Sequence, residues 1–331
     1  MRGVALAELH CHVEGALPVS LARELAVREG VDISALTDGE RYLWHDFPGF
    51  LAAYGRATRL LRRPEDYARL AEMHLSAIAA DGAIYAELFL APDDATRAGM
   101  SYAACLEAVA EGAERARARS GIEVRLVPHI LRQNGPEAAL RATRTILAHP
   151  HPLVTGIGLA GDEREHLAAE FAPAFAMAAE AGLGCTAHAG EVCGPESVAH
   201  VLDALPVTRI GHGVAAAADP ALMARLADEE IVLEVCPGSN VALGLFSDRA
   251  AHPLARLIAA GVRVTLNSDD PPFFGTSLAG EYRATAAALG LDAAGLTAFT
   301  RTAIEAAFVD EATRARLISR LAPVEPAPFR A

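Results

Sequence analysis

Two histidines separated by one residue, His10 and His12, are the first groups in this chain placed to do chemistry. In an extended strand, residues i and i+2 face the same side, so both imidazoles converge while Cys11 points away. That is ligand spacing for a divalent cation. Taken alone, it is equally the spacing of two strand histidines that bind nothing. Further along come His188-Ala189-Gly190-Glu191, then His212 within Arg209-Ile210-Gly211-His212-Gly213, then Ser268-Asp269-Asp270-Pro271. Each follows a short apolar run. Imidazoles joined by a carboxylate suit zinc and its transition-metal neighbours, whereas magnesium and calcium prefer oxygen ligands. A catalytic site of this kind keeps one position for water and lowers its pKa toward about 7.

Composition narrows the chemistry. The 331 residues include 29 basic ones, and every one is arginine. Without lysine there is no Schiff-base amine, no P-loop or kinase lysine, and no carbamylated lysine to bridge two metals. A single metal is therefore the reading. The 42 acidic residues give a net charge of -13, which argues against binding to nucleic acid or to an anionic membrane surface. Hydrophobic residues make up 52%, enough for a substantial core rather than a disordered chain.

These groups need a scaffold that brings distant segments together. Eight short runs rich in Val, Ile and Leu recur: Val4–Leu9, Ala83–Leu90, Glu123–Ile130, Val154–Leu159, Leu183–Ala187, Thr208–Gly211, Ile231–Val235 and Val262–Asn267. Helical patterns lie between them, such as Asp219–Glu230 and Pro253–Ala260, the latter ending at Gly261. Eight strands alternating with helices predict an α/β fold, a TIM (β/α)8 barrel, whose functional groups gather at the C-terminal ends of the strands. No repeat, linker or boundary divides residues 1–331, so one domain is expected. Leu17–Arg28 and Phe50–Ala79 read as a helical insertion after the first strand, able to form a lid over the catalytic face. Ala293–Phe308 and Asp310–Leu321 read as additional C-terminal helices. Val324–Ala331 reads as a Pro-rich tail.

The motifs His10-Cys11-His12-Val13-Glu14-Gly15, Leu159-Ala160-Gly161-Asp162-Glu163, His188-Ala189-Gly190-Glu191, Ile210-Gly211-His212-Gly213, Cys236-Pro237-Gly238-Ser239-Asn240 and Ser268-Asp269-Asp270-Pro271 together resemble those of the adenosine/adenine deaminases of the amidohydrolase superfamily. They occur in the family's order and span nearly the whole chain. The likeness is greatest to bacterial adenosine deaminases. It implies that His10, His12, His188 and Asp269 bind one Zn2+ per chain. Glu191 would protonate purine N1, His212 and Asp269 would steer the hydroxide that attacks C6, and His12, Glu14, Gly161 and Asp270 would contact the substrate. The implied reaction is zinc-dependent deamination of adenosine, with 2′-deoxyadenosine as a second substrate, to the inosine product and ammonia. Adenine, or a modified adenosine such as aminodeoxyfutalosine, is the alternative. Glu14 stands where the family contacts a sugar hydroxyl, usually with Asp, and adenine-specific members tend to carry Glu there. Gly211 stands where the adenine branch often has Asp, which favours the nucleoside.

Other residues carry blander expectations. Glu87, inside the second run, reads as a structural hydrogen-bonding group, and His129 as a supporting residue beside the pocket. Trp44, Phe47, Phe50 and Leu51 could gate the pocket. Cys193 and Cys236 read as small buried fillers, and His74, His149, His151 and His252 as surface or capping residues. Five cysteines without a CxxC pair, and no signal-peptide pattern, place the expected setting in the cytoplasm. The residues do not indicate an oligomeric state.

Overall fold

The computed structural model describes residues 3–321. All eight expected runs are strands: β1 (Leu6–His12), β2 (Ala83–Leu90), β3 (Glu123–Leu131), β4 (Gly156–Ala160), β5 (Gly184–Ala189), β6 (Arg209–His212), β7 (Val232–Val235) and β8 (Arg263–Leu266). They form one parallel sheet in sequence order, curled into a nearly closed TIM-type barrel. The seam between β8 and β1 is thinly bonded. One ladder pair, Cys11 with Asp269, spans it. Side chains do the rest: Leu9 N donates to Asn267 Oδ1 at 2.8 Å, and Ser268 N donates to Glu8 Oε1 at 2.7 Å.

The first strand extends three residues beyond the apolar run that predicts it. Of those residues, His10 and His12 face a polar cup, so hydrophobicity does not mark this end of the strand. The register also shifts here: Glu8 pairs with Ala86 and Cys11 with Leu88, so Leu9 and His10 together oppose Glu87. Such a bulge re-aims the strand's side chains. It brings His10 and His12 inward and leaves Glu8 and Cys11 facing outward.

The insertion after β1 comprises α1 (Val19–Glu29), α2 (Phe47–Thr58) and α3 (Pro64–Ala80). The single helix expected over Phe50–Ala79 is thus two. Pro64 explains the break, because proline holds the preceding residue out of the helical region, and Arg63 is extended at φ -127°, ψ 148°. Helices α4 (Pro92–Arg97) and α5 (Tyr102–Ser120) precede β3, α6 (Gly135–Ala148) precedes β4, and α7 (Ala172–Glu180) precedes β5. Helices α8 (Pro195–Ala204) and α9 (Pro220–Asp228) flank β6, and α10 (Pro237–Ala242) and α11 (Leu254–Ala259) lead to β8. The chain continues through α12 (Pro271–Phe274), α13 (Leu278–Leu289), α14 (Ala293–Ala306) and α15 (Glu311–Ile318). The Pro-rich stretch Val324–Ala331 lies outside the described residues.

The barrel floor carries buried charge. Arg209 is fully buried, 2.6 Å from Glu87 Oε2 and 2.7 Å from Glu234 Oε1, with its guanidinium 3.6 Å from the centre of the Phe308 ring. Glu87 Oε1 accepts from Tyr85 Oη and Phe308 N, each at 2.8 Å. The structural part expected of Glu87 is what it plays.

Candidate active site

At the opposite end, His10 and His12 of β1, His188 of β5 and Asp269 just after β8 meet, one potential ligand atom from each lying within 4.8 Å of the others. The Nε2 atoms of His10 and His12 are each 3.5 Å from Asp269 Oδ1. His10 Nδ1 donates to Glu234 Oε2 at 2.8 Å, and His188 Nδ1 donates to the Leu159 carbonyl at 2.9 Å. With the Nδ1 atoms engaged, both rings offer Nε2 to the cup, which is how metal-binding imidazoles are commonly oriented. His10 Nε2 is buried with no partner of its own. Three imidazoles, one carboxylate and an orphaned ring nitrogen fit a zinc-type ion. Burial opposes ionisation of Asp269, but the surrounding His10, His212 and His12 outweigh it and hold its carboxyl below the usual range. Gly211 packs beneath this cup. A side chain there would lie 2.9 Å from His10 and 3.1 Å from His188. A glycine here therefore relieves crowding under the imidazoles.

Beside the cup stand Glu191, His212 and Asp270. Burial foremost, then the charges of Asp269 and Glu163, push the Glu191 carboxyl well above its ordinary pKa. His212 Nε2 lies 3.6 Å from Glu191 Oε1 and 3.9 Å from Asp269 Oδ2. Burial lowers the His212 pKa to about 3, so the ring is neutral. Asn240 Nδ2 donates to its Nδ1 at 3.3 Å, and Asn240 Oδ1 accepts from His252 Nε2 at 3.1 Å. This leaves the hydrogen of His212 on Nε2, facing the cup. His212 and Asp269 both have positive φ, 59° and 64°, a conformation non-glycine residues rarely adopt and one often found at functional positions. Asp270 Oδ1 is buried without a partner, and burial followed by Asp269, Glu191 and Glu14 raises its pKa. Gly15 makes room for it, since a side chain at Gly15 would overlap the Asp270 carboxylate.

A cavity of about 170 Å³ opens above the cup. Its lining includes His12, His129, Gly161, His188, Glu191, His212, Asp269 and Asp270, with Phe47, Phe50, Leu51 and Tyr54 of α2 across the top. Glu14 is not in that lining; it is 1% exposed, with Oε1 unpartnered. The insertion is held down by aromatic contacts. Tyr42 stacks on Phe273 at 3.9 Å, and Trp44 Nε1 donates to the Phe273 carbonyl at 3.1 Å. Phe47, Phe50 and Leu51 thus reach the pocket, whereas Trp44 braces the insertion.

Several supporting residues escape sequence reasoning. Glu234 orients His10, Ser239 Oγ donates to Asp269 Oδ2 at 2.7 Å, and Glu8 holds Ser268. A charged residue inside an apolar strand is the available signal for Glu234, as it is for Glu87. His252 does cap local backbone, its Nδ1 accepting from Leu254 N at 3.2 Å, and at 5% exposure it also supports Asn240. Two of the blander expectations fail. His74 packs behind β1, its Nε2 3.4 Å from Cys11 Sγ and 3.7 Å from Glu8 Oε2. Cys193 is half-buried, in the loop after β5, whereas Cys236 is buried as expected. His149 and His151 do cap local backbone: His149 Nδ1 meets the Thr145 carbonyl, and His151 Nδ1 accepts from Leu153 N.

The family model described as adenosine deaminase matches residues 5–324. A protein named adenine deaminase from Chelativorans sp. (strain BNC1) is 54% identical over 318 residues, covering 96% of this chain and 98% of its own. The crystal structure of adenine deaminase from Arthrobacter aurescens superposes with a TM-score of 0.90 at 31% identity, covering 96% of this chain and 98% of that one. An amidohydrolase from Burkholderia ambifaria, solved with bound Zn, gives 0.87 at 30% identity, covering 96% and 89%. These relatives shift the expected preference from adenosine toward its stated alternative, adenine. The chain belongs to the adenosine deaminase family of the amidohydrolase superfamily, and it is a hydrolytic deaminase.

Proposed function

We propose that the chain deaminates free adenine to hypoxanthine and ammonia, with one zinc ion held by His10, His12, His188 and Asp269. The observation that carries the choice of base over nucleoside is the chain-long likeness to proteins named adenine deaminase. The cavity supports it, being well under the roughly 300 Å³ at the small end of ordinary ligand pockets. With no ribose to bind, Glu14 has a different part. Burial, then the charge of Asp94, pushes its carboxyl well above the ordinary range, so it stands as a neutral, buried group behind Asp270.

When bound, the ion supplies a hydroxide-like nucleophile at neutral pH. The protein's own groups direct the rest. Glu191, kept neutral by burial, donates its proton to N1, so that the ring nitrogen takes up the electrons displaced when C6 is attacked. Neutral His212, donating through Nε2, orients the nucleophile, and the ionised Asp269 accepts its proton. Protonated Asp270 donates to N7, and Gly161 lies along the cavity wall where N3 would rest. All five cysteines are unpaired, which supports a reducing, cytoplasmic setting. Among the described residues, no helix is long and apolar enough to cross a membrane.

The test is to follow ultraviolet absorbance with purified protein given adenine, adenosine or aminodeoxyfutalosine in parallel. Adenine should show the highest kcat/KM. A higher value for either nucleoside would refute the assignment of the base.

A further inference from the structure

Four consecutive backbone N–H groups in the loop after β5 converge on one carboxylate. Glu163, in the loop after β4, accepts from Gly190 N, from Glu191 N at 3.0 Å, from Val192 N at 2.9 Å and from Cys193 N at 3.2 Å. Ser197 Oγ contributes a fifth hydrogen bond. Gly190 has φ +67°, which helps the chain turn so that successive amides face the same side. Glu163 is only 6% exposed and does not line the cavity. Charge-assisted hydrogen bonds in such surroundings are strong and directional.

We propose that Glu163 is the positioning residue for Glu191: its carboxylate pins the backbone of residues 190–193 and so fixes the Glu191 side chain against His212 and the purine. The inference rests on the reading of Glu191 as the N1 proton donor. Length and charge both matter. Aspartate is one methylene too short to reach all the donors, and glutamine would aim an NH2 group at amides that also donate. A shift of the acid by a fraction of an ångström penalises proton transfer while leaving purine binding nearly intact.

The experiment is a double-mutant cycle on the zinc-loaded enzyme, comparing wild type, E163Q, E191Q and E163Q/E191Q on whichever purine the wild type turns over. E163Q should lower kcat by about tenfold or more, with KM within about threefold and zinc content unchanged. In the E191Q background, E163Q should cause little further loss, because both changes remove the same proton transfer. E163D, which keeps the charge, should recover part of the E163Q deficit, and it takes the place of E163Q in the cycle if that protein does not fold. Wild-type kcat in the Glu163 variant, or losses that multiply in the double variant, would overturn the inference. A near-wild-type rate in E191Q alone would instead refute the role of Glu191.

Discussion

The two ends of the barrel interior bury charge in opposite ways. At the floor, Arg209 lies between Glu87 and Glu234, and Tyr85, Phe308 and the Ala306 carbonyl supply further hydrogen bonds. At the mouth, His10 Nε2, Glu14 Oε1 and Asp270 Oδ1 are buried with no partner. Buried polar atoms are nearly always satisfied, so orphans gathered around the cup support the proposal that metal and substrate bind there, whereas Arg209 Nε at the floor lies 2.7 Å from Glu234 Oε1. Charge at the floor holds the fold; charge at the mouth is where we propose that metal and substrate are held. Glu234 belongs to both, with Oε1 toward Arg209 and Oε2 on His10.

Four experiments would break or sharpen this contrast. His10→Ala should reduce metal from about one ion per chain to almost none and abolish turnover, as read by elemental analysis and assay. Retained stoichiometric zinc would mean that the mouth is not a metal cup. Glu191→Gln should keep metal and purine but lose about 10²–10⁴-fold in kcat. Arg209→Met, at the floor, should act on stability instead, costing about 3–5 kcal/mol in denaturant unfolding by leaving Glu87 and Glu234 uncompensated. Its kcat should fall far less than that of the mouth variants. The pH profile gives the gentlest effect. Glu191 donates only while protonated, so kcat/KM should decline about tenfold per unit once pH exceeds its raised pKa. If kcat/KM instead rose throughout the alkaline range, the acid would have to be another group.

The barrel was largely legible because buried parallel strands read as plain apolar runs, and all eight stood out. Their ends were less legible. β1 continues through His10-Cys11-His12 because the cup it faces is polar, a reason invisible to hydrophobicity. The metal and proton-transfer candidates could be read because each lies at the end of a strand or just after it. Glu163, Asn240 and His252 could not be assigned parts, since they act by holding other residues across loops that only the fold brings together. The packing part of Gly211 was hidden for a similar reason: what its missing side chain avoids comes from β1 and β5, far away in sequence.

The sparse β8–β1 junction has a consequence of its own. His10 and His12 lie on one side of it and Asp269 on the other, so a cation gripped by all three would act as a clasp joining the two ends of the chain's sheet. Chelation should then do more than stop turnover. Amide exchange should quicken first in β1 and β8, while β3 and β4, which carry none of the four ligands, stay protected.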